Sequence, residues 1–237
     1  DEYISIHLML KPHFFSELRF YDHPPFYFLL LKAWHALSSR DEHLRLLSLV
    51  FGCGTIAATM IWIRRYSNLA SLLSGVCCAT LPIMLRYSQE IRGYSLLTFA
   101  TALAFLFACQ IVDRPKRTAG YVGLALSLTA AVATHAVGLV ILPGIFLYLF
   151  LTALSSGGKA SLRPLAKGAL FAAVPPVATF VLLFYVFLLR PFHDARSWWV
   201  PAASWLHILE TTAGVLGTND AGRALDRLVG NFPPSGH

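Results

Sequence analysis

The chain has 237 residues, of which 56% are hydrophobic and only 13% are charged, and its formal net charge is +7. Soluble domains carry roughly 25% charged residues, so this composition excludes an ordinary water-soluble enzyme and indicates a membrane protein. The positive charge does not indicate nucleic-acid binding, because the Lys and Arg residues form short clusters between apolar runs instead of one continuous polar face.

Residues 1–42 precede the first long apolar run and contain one shorter apolar stretch, 24–37. As a helix this stretch is only about 21 Å long, against about 30 Å for the hydrocarbon core of a bilayer. We therefore predict an outer loop over residues 1–42, with helices that lie on or dip into the membrane interface. Because the chain starts at Asp1 and not at Met, we expect an earlier membrane helix before it. We also expect further sequence after residue 237.

Five apolar runs within residues 43–189 are long enough to cross a bilayer, which takes about 20 residues per helix. They are 43–63, 69–85, 91–112, 119–154 and 165–189. Short loops rich in Lys and Arg follow the first, third and fourth runs, at 64–65, 114–117 and 159–167. The positive-inside rule makes all three loops cytoplasmic.

The long run 119–154 begins and ends next to cytoplasmic loops, so it must cross the membrane an even number of times. It therefore contains two helices, with an outer turn near ATHAVG (133–138). We expect an all-α, polytopic membrane helix bundle of about six spans over residues 43–189. In this arrangement residues 86–92 lie on the outer side, together with residues 1–42.

Residues 190–237 are more polar and contain Trp198, Trp199 and Trp205. Tryptophan rings of this kind settle at the membrane surface, so we predict an outer interfacial segment here. The four cysteines, Cys53, Cys77, Cys78 and Cys109, lie inside apolar runs without metal-type spacing. We interpret them as small buried residues.

Three polar clusters fall on the predicted outer side: DEY (1–3), YDHPPFY (21–27) and YSQEIRGY (87–94). In the second cluster two prolines set the first turn of a helix, which places Asp22 and His23 at its N-terminus, where the helix dipole favours an anion. Each cluster also has an ordinary interpretation: a ragged terminus, a capping Asp, and a solvated helix start with an acid in its first turn. Their coincidence on one side favours a functional site.

The chain resembles the polyprenyl-phosphate-dependent glycosyltransferases of the GT-C type. These include the protein O-mannosyltransferases and the bacterial enzyme that adds aminoarabinose to lipid A. The resemblance rests on the order and spacing of five motifs: DE (1–2), HPPFYFLLLKAW (23–34), RLLSLVFG (45–52), RYSQEIRGYSLL (86–97) and THAVGLVILP (134–143). It implies an integral enzyme of a bacterial-type inner or plasma membrane with an active site outside the cytoplasm. Such an enzyme moves a sugar from a polyprenyl-phosphate donor to a hydroxyl of a glycan, lipid or protein.

The resemblance also implies roles for individual residues. Asp1 and Glu2 match the catalytic DE pair of the family, and we choose Asp1 as the base. Glu90 matches an acid of the second outer loop. Asp22 and His23 occupy the places of an acid and a Lys in the lipid A enzymes, so a positive charge at His23 requires protonation of the imidazole.

The reaction needs a base for the acceptor hydroxyl and cations for the departing phosphate, and a direct displacement inverts the anomeric centre. Arg86 and Arg92, and His23 when protonated, are candidates for binding the phosphate. Alternatively, Asp22, His23 and Glu90 are an acceptable ligand set for a divalent cation such as zinc or manganese.

Three further residues are candidates for substrate binding. Tyr87 and Tyr94 bracket the YSQEIRGY cluster, and His135 lies at the predicted outer turn. For His135 an ordinary helix-turn residue is the alternative interpretation.

Two other classes of function stay open. A transporter or flippase for lipid-linked saccharides typically has ionisable residues near the bilayer midplane and broken helices. Here the charges lie at helix ends, and only the pair Pro175 and Pro176 favours this class. A non-catalytic membrane subunit of the same fold would lack a complete site. Convergence of Asp1, Asp22 and Glu90 in space would distinguish an enzyme from both.

The predicted orientation can be tested by cysteine labelling in intact cells. In a variant without native cysteines, we expect an impermeant thiol reagent to label Ser197→Cys and to leave Ser156→Cys unlabelled, because only position 197 is predicted to be outside. Labelling at 156 without labelling at 197 would reverse the orientation.

Overall fold

The computed structural model of the protein describes residues 2–11, 13–14, 24–155 and 159–188. Every regular element in these ranges is an α-helix. The helices are α1 (Glu2–Leu10), α2 (Phe26–His35), α3 (Asp41–Ile63), α4 (Asn68–Thr80), α5 (Pro82–Gln89), α6 (Tyr94–Asp113), α7 (Thr118–Thr134), α8 (Gly138–Ser155) and α9 (Lys159–Leu188). The predicted all-α class is confirmed.

Three of the described helices, α3, α6 and α8, are individually long and apolar enough to cross a membrane. Helices α4 and α5 meet the same criterion only as a pair, and α7 and the segment Gly168–Leu183 of α9 are apolar but shorter. Large apolar side chains such as Leu126 and Val140 are exposed along these helices, as a lipid-facing surface requires. The protein is therefore a membrane helix bundle, and its described residues contain three or four helices of full spanning length where six spans were predicted.

The run 69–85 is not the single straight span that the sequence predicted. The chain breaks at Leu81, and the axes of α4 and α5 differ by 60°. Pro82 occupies the first turn of α5, where its missing N–H is harmless. The residue before a proline avoids the helical region, and Leu81 is accordingly extended (φ −66°, ψ 121°). The bend sets α5 against both α3 and α6.

The turn predicted near residues 133–138 is confirmed, because α7 ends at Thr134 and α8 begins at Gly138, and its position on the outer side stays a prediction. The two helices approach closely at this turn. A Cβ atom at Gly138 would lie 2.5 Å from the carbonyl carbon of Ala131, so only glycine fits there.

Small residues also allow close packing within the bundle. Ala104 and Ala108 of α6 are completely buried, and Gly123 of α7 lies directly against the Phe107 ring. Without a hydrophobic driving force between helices in lipid, such close backbone approach is the usual basis of helix association. The main core accordingly lies between α6, α7, α8 and α9.

A second apolar cluster joins the short N-terminal helices to the bundle. It contains Tyr27 and Leu31 of α2, Leu44 of α3, and Ile91 in the turn between α5 and α6. Helices α1 and α2 fall in the predicted outer loop, but their placement relative to the membrane stays a prediction. The predicted interfacial segment 190–237 lies outside the described residues.

A pair of glycine substitutions in α8 tests the tight turn. We expect Gly138→Ala to destabilise the protein by about 1–3 kcal/mol, because the new methyl group meets backbone atoms that cannot move aside. The measurement is the Tm in detergent, which falls by about 2–4 °C for each kcal/mol in a chain of this size.

Gly144→Ala is the matched control in the same helix. Nothing lies within 4 Å of a Cβ atom at Gly144, so its Tm should stay the same or rise, since Ala favours helix. Equal losses in both variants would contradict the steric account of Gly138.

Candidate functional site

The candidate site is built around the turn between α5 and α6. Glu90 follows the last residue of α5 in an extended conformation (φ −87°, ψ 141°), and the Arg92 N–H donates to the Glu90 carbonyl at 2.9 Å. Ile91 between them is completely buried. The single apolar residue in the sequence SQEIRG therefore anchors the turn, and it fixes the charged residues on either side of it.

The turn packs against two other parts of the chain through Gly93. A Cβ atom on this residue would lie 3.0 Å from Thr134 Cγ2 and 3.3 Å from Tyr27 Cβ. The start of α2, the turn and the end of α7 therefore meet at one place. Three of the sequence motifs, HPPFY, YSQEIRGY and THAVG, are brought together here.

Glu90 is ion-paired within its own helix turn. Its Oε1 lies 2.7 Å from Nε of Arg86, and the side chains are 24% and 71% exposed, respectively. The interpretation of Glu90 as an acid in the first turn of a helix is therefore wrong, because α6 starts only at Tyr94 and Glu90 lies at the C-terminal end of α5. A carboxylate is unfavourable at that end of the dipole, and Arg86 compensates its charge.

Four side chains form a group that we call the tyrosine cluster: Tyr87, Arg92, Tyr94 and His135. Tyr94 contacts the other three. The ring centroids of Tyr87 and Tyr94 are 4.7 Å apart with planes at 26°, and the His135 ring lies 5.7 Å from Tyr94. Arg92 Cζ lies 5.1 Å from the Tyr94 centroid, within the range of a cation–π interaction. The cluster combines a positive charge with aromatic surface.

His135 caps the C-terminus of α7 in an extended conformation. Its Nδ1 accepts a hydrogen bond of 3.2 Å from the Val137 N–H. The neutral imidazole therefore carries its proton on Nε2, which makes that atom a hydrogen-bond donor. His135 thus has the local role of a helix-turn residue, and it also belongs to the tyrosine cluster.

Two residues near the turn received no role from the sequence. Arg45 of α3 donates from Nη1 to the carbonyl of Gln89 at 3.3 Å, which ties α3 to the end of α5. Tyr27 packs against Gly93. Their positions in the motifs RLLSLVFG and HPPFYFLLLKAW could have indicated a role. Hydrophobic periodicity could not, because it predicts only that both residues lie in helices.

An apolar crevice of about 110 Å³ adjoins the cluster between α3, α4, α5 and α6. Tyr87 belongs to both features, and Ser88, Ser95 and Thr98 add hydroxyl groups to a lining that is otherwise largely apolar. The Ser95 hydroxyl is buried and has no hydrogen-bond partner among the described residues. A crevice of this kind suits an apolar chain that carries a polar end.

A comparison with protein families shows to which family the chain belongs. The sequence model of the dolichyl-phosphate-mannose-protein mannosyltransferases matches residues 22–180, which include the whole tyrosine cluster. The chain belongs to this mannosyltransferase family. No curated protein and no solved structure matches it. The resemblance read from the motifs is confirmed, and the chain is a GT-C-type membrane glycosyltransferase.

The remaining predicted site residues of this mannosyltransferase-family chain are not described by the structure. Asp1, Asp22 and His23 lie outside the described residues, and of Glu2 only the backbone, at the start of α1, is described. Their catalytic, binding and cation-binding roles stay predictions. Among the described residues alone, no group of three or more His, Cys, Asp and Glu side chains is arranged to hold a metal ion.

Charged groups at the start of α6 suit the chemistry of the family. A lipid-linked sugar presents its phosphate where the apolar part of the membrane ends, and α6 continues from Tyr94 as an apolar helix of 20 residues. Ionised groups are costly inside hydrocarbon. Glu90 and Arg92 therefore lie at a position where charge is tolerated and a lipid head group is within reach.

Proposed function

We propose that the chain transfers a sugar from a polyprenyl-phosphate donor to an acceptor hydroxyl, with inversion, on the extracytoplasmic face of a bacterial-type inner or plasma membrane. The acceptor is a glycan, a lipid or a protein. One observation carries this proposal: a cluster of an arginine and aromatic rings adjoins an apolar crevice at the end of a membrane helix. A polyprenyl-phosphate sugar has the same two parts.

Arg92 is our candidate for binding the donor phosphate. Guanidinium binds phosphate oxygens in bidentate fashion, and Arg92 is held against the Tyr94 ring. Arg86 is the weaker candidate, because its charge is already opposed by Glu90 at 2.7 Å. The first isoprene units of the donor would then enter the crevice beside Tyr87.

The sugar would pack against the rings of Tyr87 and Tyr94. Aromatic faces supply a large, rigid apolar surface, and a few directed polar groups orient a ligand in such a site. The Nε2–H of neutral His135 can donate to a sugar hydroxyl. The proposal thus assigns orientation of the sugar to the described part of the site.

A carboxylate base completes the proposed reaction. It accepts the proton of the acceptor hydroxyl while the bond from that oxygen to the anomeric carbon forms and the bond to the phosphate oxygen breaks, which releases polyprenyl phosphate. We assign this role to Asp1, with Glu2 beside it in sequence. Glu90 is the alternative acid, although its carboxylate is already paired with Arg86 at 2.7 Å.

We assign Asp22 and His23 to the proposed donor site because they lie only a few residues along the chain from it. They precede Tyr27 by five and four residues, and Tyr27 packs against Gly93. Five extended residues span at most about 18 Å, which supports a position near Glu90 and Arg92. There they would bind the phosphate directly or hold a divalent cation with Glu90.

A flippase for lipid-linked saccharides is the second candidate, and the 60° break between α4 and α5 favours it. The pair Pro175 and Pro176 gives a flippase little support, because it does not break the helix: α9 continues through both prolines. The charged residues described in α3 and α6 lie within five residues of a helix end, whereas transport sites lie near the midplane. Glycosyl transfer is therefore the better-supported function.

The direct test supplies membranes containing the protein with candidate polyprenyl-phosphate sugars and analyses the products by mass spectrometry. We expect a glycosylated acceptor and free polyprenyl phosphate in this assay. In the same assay Arg92→Gln should lower turnover by about 10²–10³-fold, as loss of one group that stabilises developing charge does. Arg40→Gln, an exposed arginine at the start of α3, is the control and should keep normal turnover.

Asp1→Asn tests the base in the same assay. The variant keeps the size of the side chain but removes its basicity, so turnover should fall by about 10²–10⁴-fold. Near-normal turnover would move the role to Glu2, Asp22 or Glu90.

A further inference from the structure

The loop between α6 and α7 forms a polar cavity of about 410 Å³ that is unrelated to the candidate site. Gln110, Asp113, Arg114, Arg117 and Gly120 line this cavity. It lies at the end of α6 and the candidate site at its start, so the 20 residues of the helix separate the two by about 30 Å.

Asp113 is the only acid that lines the cavity, and its charge is compensated by Arg65, which lies outside the cavity. Asp113 Oδ1 lies 2.8 Å from Nη2 of Arg65, a residue of the loop between α3 and α4. Burial lowers the pKa of Arg65, but nearby Cys109 and Asp113 outweigh it and raise the pKa above the ordinary value, so the guanidinium stays charged. In the described part of the chain Arg114 and Arg117 form no such ion pair, which leaves the cavity with a net positive charge.

The start of α7 beside the cavity also favours an anion, because it is the positive end of the helix dipole. Helix α7 starts after Arg117 without a side-chain cap and without an acid in its first turn, so N–H groups at its start have no side-chain acceptor. Gly120 lets α7 pack closely against α6, because a Cβ atom there would lie 3.0 Å from Ile111 Cγ1, and its N–H donates to the Arg117 carbonyl at 3.3 Å.

Backbone hydrogen bonds hold the loop in this shape. The Arg114 N–H donates to Gln110 at 2.9 Å and the Arg117 N–H donates to Arg114 at 3.0 Å. The Tyr121 hydroxyl donates to the Pro115 carbonyl at 3.0 Å. The two arginines therefore extend from a fixed backbone, which lowers the entropic cost of ordering them around a ligand.

We propose that this cavity binds the phosphate of an anionic phospholipid head group. Two guanidinium groups match phosphate oxygens, and the cavity lies directly after the apolar part of α6, at head-group depth. Val122 and Leu126 are exposed on α7 at i, i+4 spacing, which provides an apolar path for an acyl chain. Basic pockets between membrane helices bind anionic head groups in this way, and the apolar path favours a lipid over free phosphate.

The test titrates the purified full chain in neutral detergent with dioleoylphosphatidylglycerol and follows the Tm. Because phosphatidylglycerol charges the micelle and attracts every exposed cation, the matched double variants below separate this general attraction from saturable binding at the site. We expect phosphatidylglycerol to raise the Tm, and equal concentrations of phosphatidylcholine or inorganic phosphate to leave it unchanged. Equal stabilisation by phosphatidylcholine would overturn the charge requirement, and equal stabilisation by inorganic phosphate would overturn the assignment to a lipid.

Matched double variants locate the site. Arg114→Gln with Arg117→Gln should weaken the apparent affinity for phosphatidylglycerol by about 25-fold, or about fivefold for each arginine. Arg64→Gln with Lys116→Gln removes the same charge from exposed residues outside the cavity and should change the affinity less than twofold. Equal losses in the two double variants would overturn the proposal. If the first variant does not fold, the single substitutions Arg114→Gln and Arg117→Gln are compared with Lys116→Gln in the same way.

Discussion

Gly93 determines where the described part of the candidate site lies. The absence of a side chain lets the turn between α5 and α6 approach Thr134 and Tyr27 so closely that a methyl group would crowd both. Because Ile91 in the same turn is completely buried, the turn has little freedom to rotate or slide. The stacked rings of Tyr87 and Tyr94, the contact of Tyr94 with His135 and the position of Arg92 all follow from this approach.

The bend at Pro82 is the second condition for the site. Had α4 continued straight, Arg86, Tyr87 and Glu90 would have followed the axis of α4 away from α6. With the axes turned by 60°, α5 packs against α3 and α6, and the apolar crevice forms between these helices. A proline in the middle of an apolar run thus supplies both the aromatic surface and the crevice that the proposed donor would use.

Local chemistry in the sequence predicted much of this fold. Apolar runs of membrane length, the even number of crossings in 119–154 and the motif order gave the helices, the turn before Gly138 and the family. The bend and the ion pair of Glu90 with Arg86 were not predicted. Both depend on where α5 begins and ends. Hydrophobicity does not mark these boundaries, because the apolar content of the sequence hardly changes there. The convergence of HPPFY, YSQEIRGY and THAVG depends on helix packing, which single-sequence periodicity does not encode. Asp1, Asp22 and His23 stay predictions.

Helix α6 imposes a further constraint, because this largely apolar helix of 20 residues has charged groups at both of its ends. Arg92 and Glu90 precede it, and Asp113, paired with Arg65, closes it. Moving either end into hydrocarbon would bury ionised groups at a cost of several kcal/mol, so the membrane fixes the height of the helix. Since the tyrosine cluster starts on the first residue of α6, its depth is fixed as well. In the proposed reaction a donor phosphate at the head-group level and the ring of Tyr94 would then be held at matching heights, and the bilayer itself would position the substrate relative to the protein.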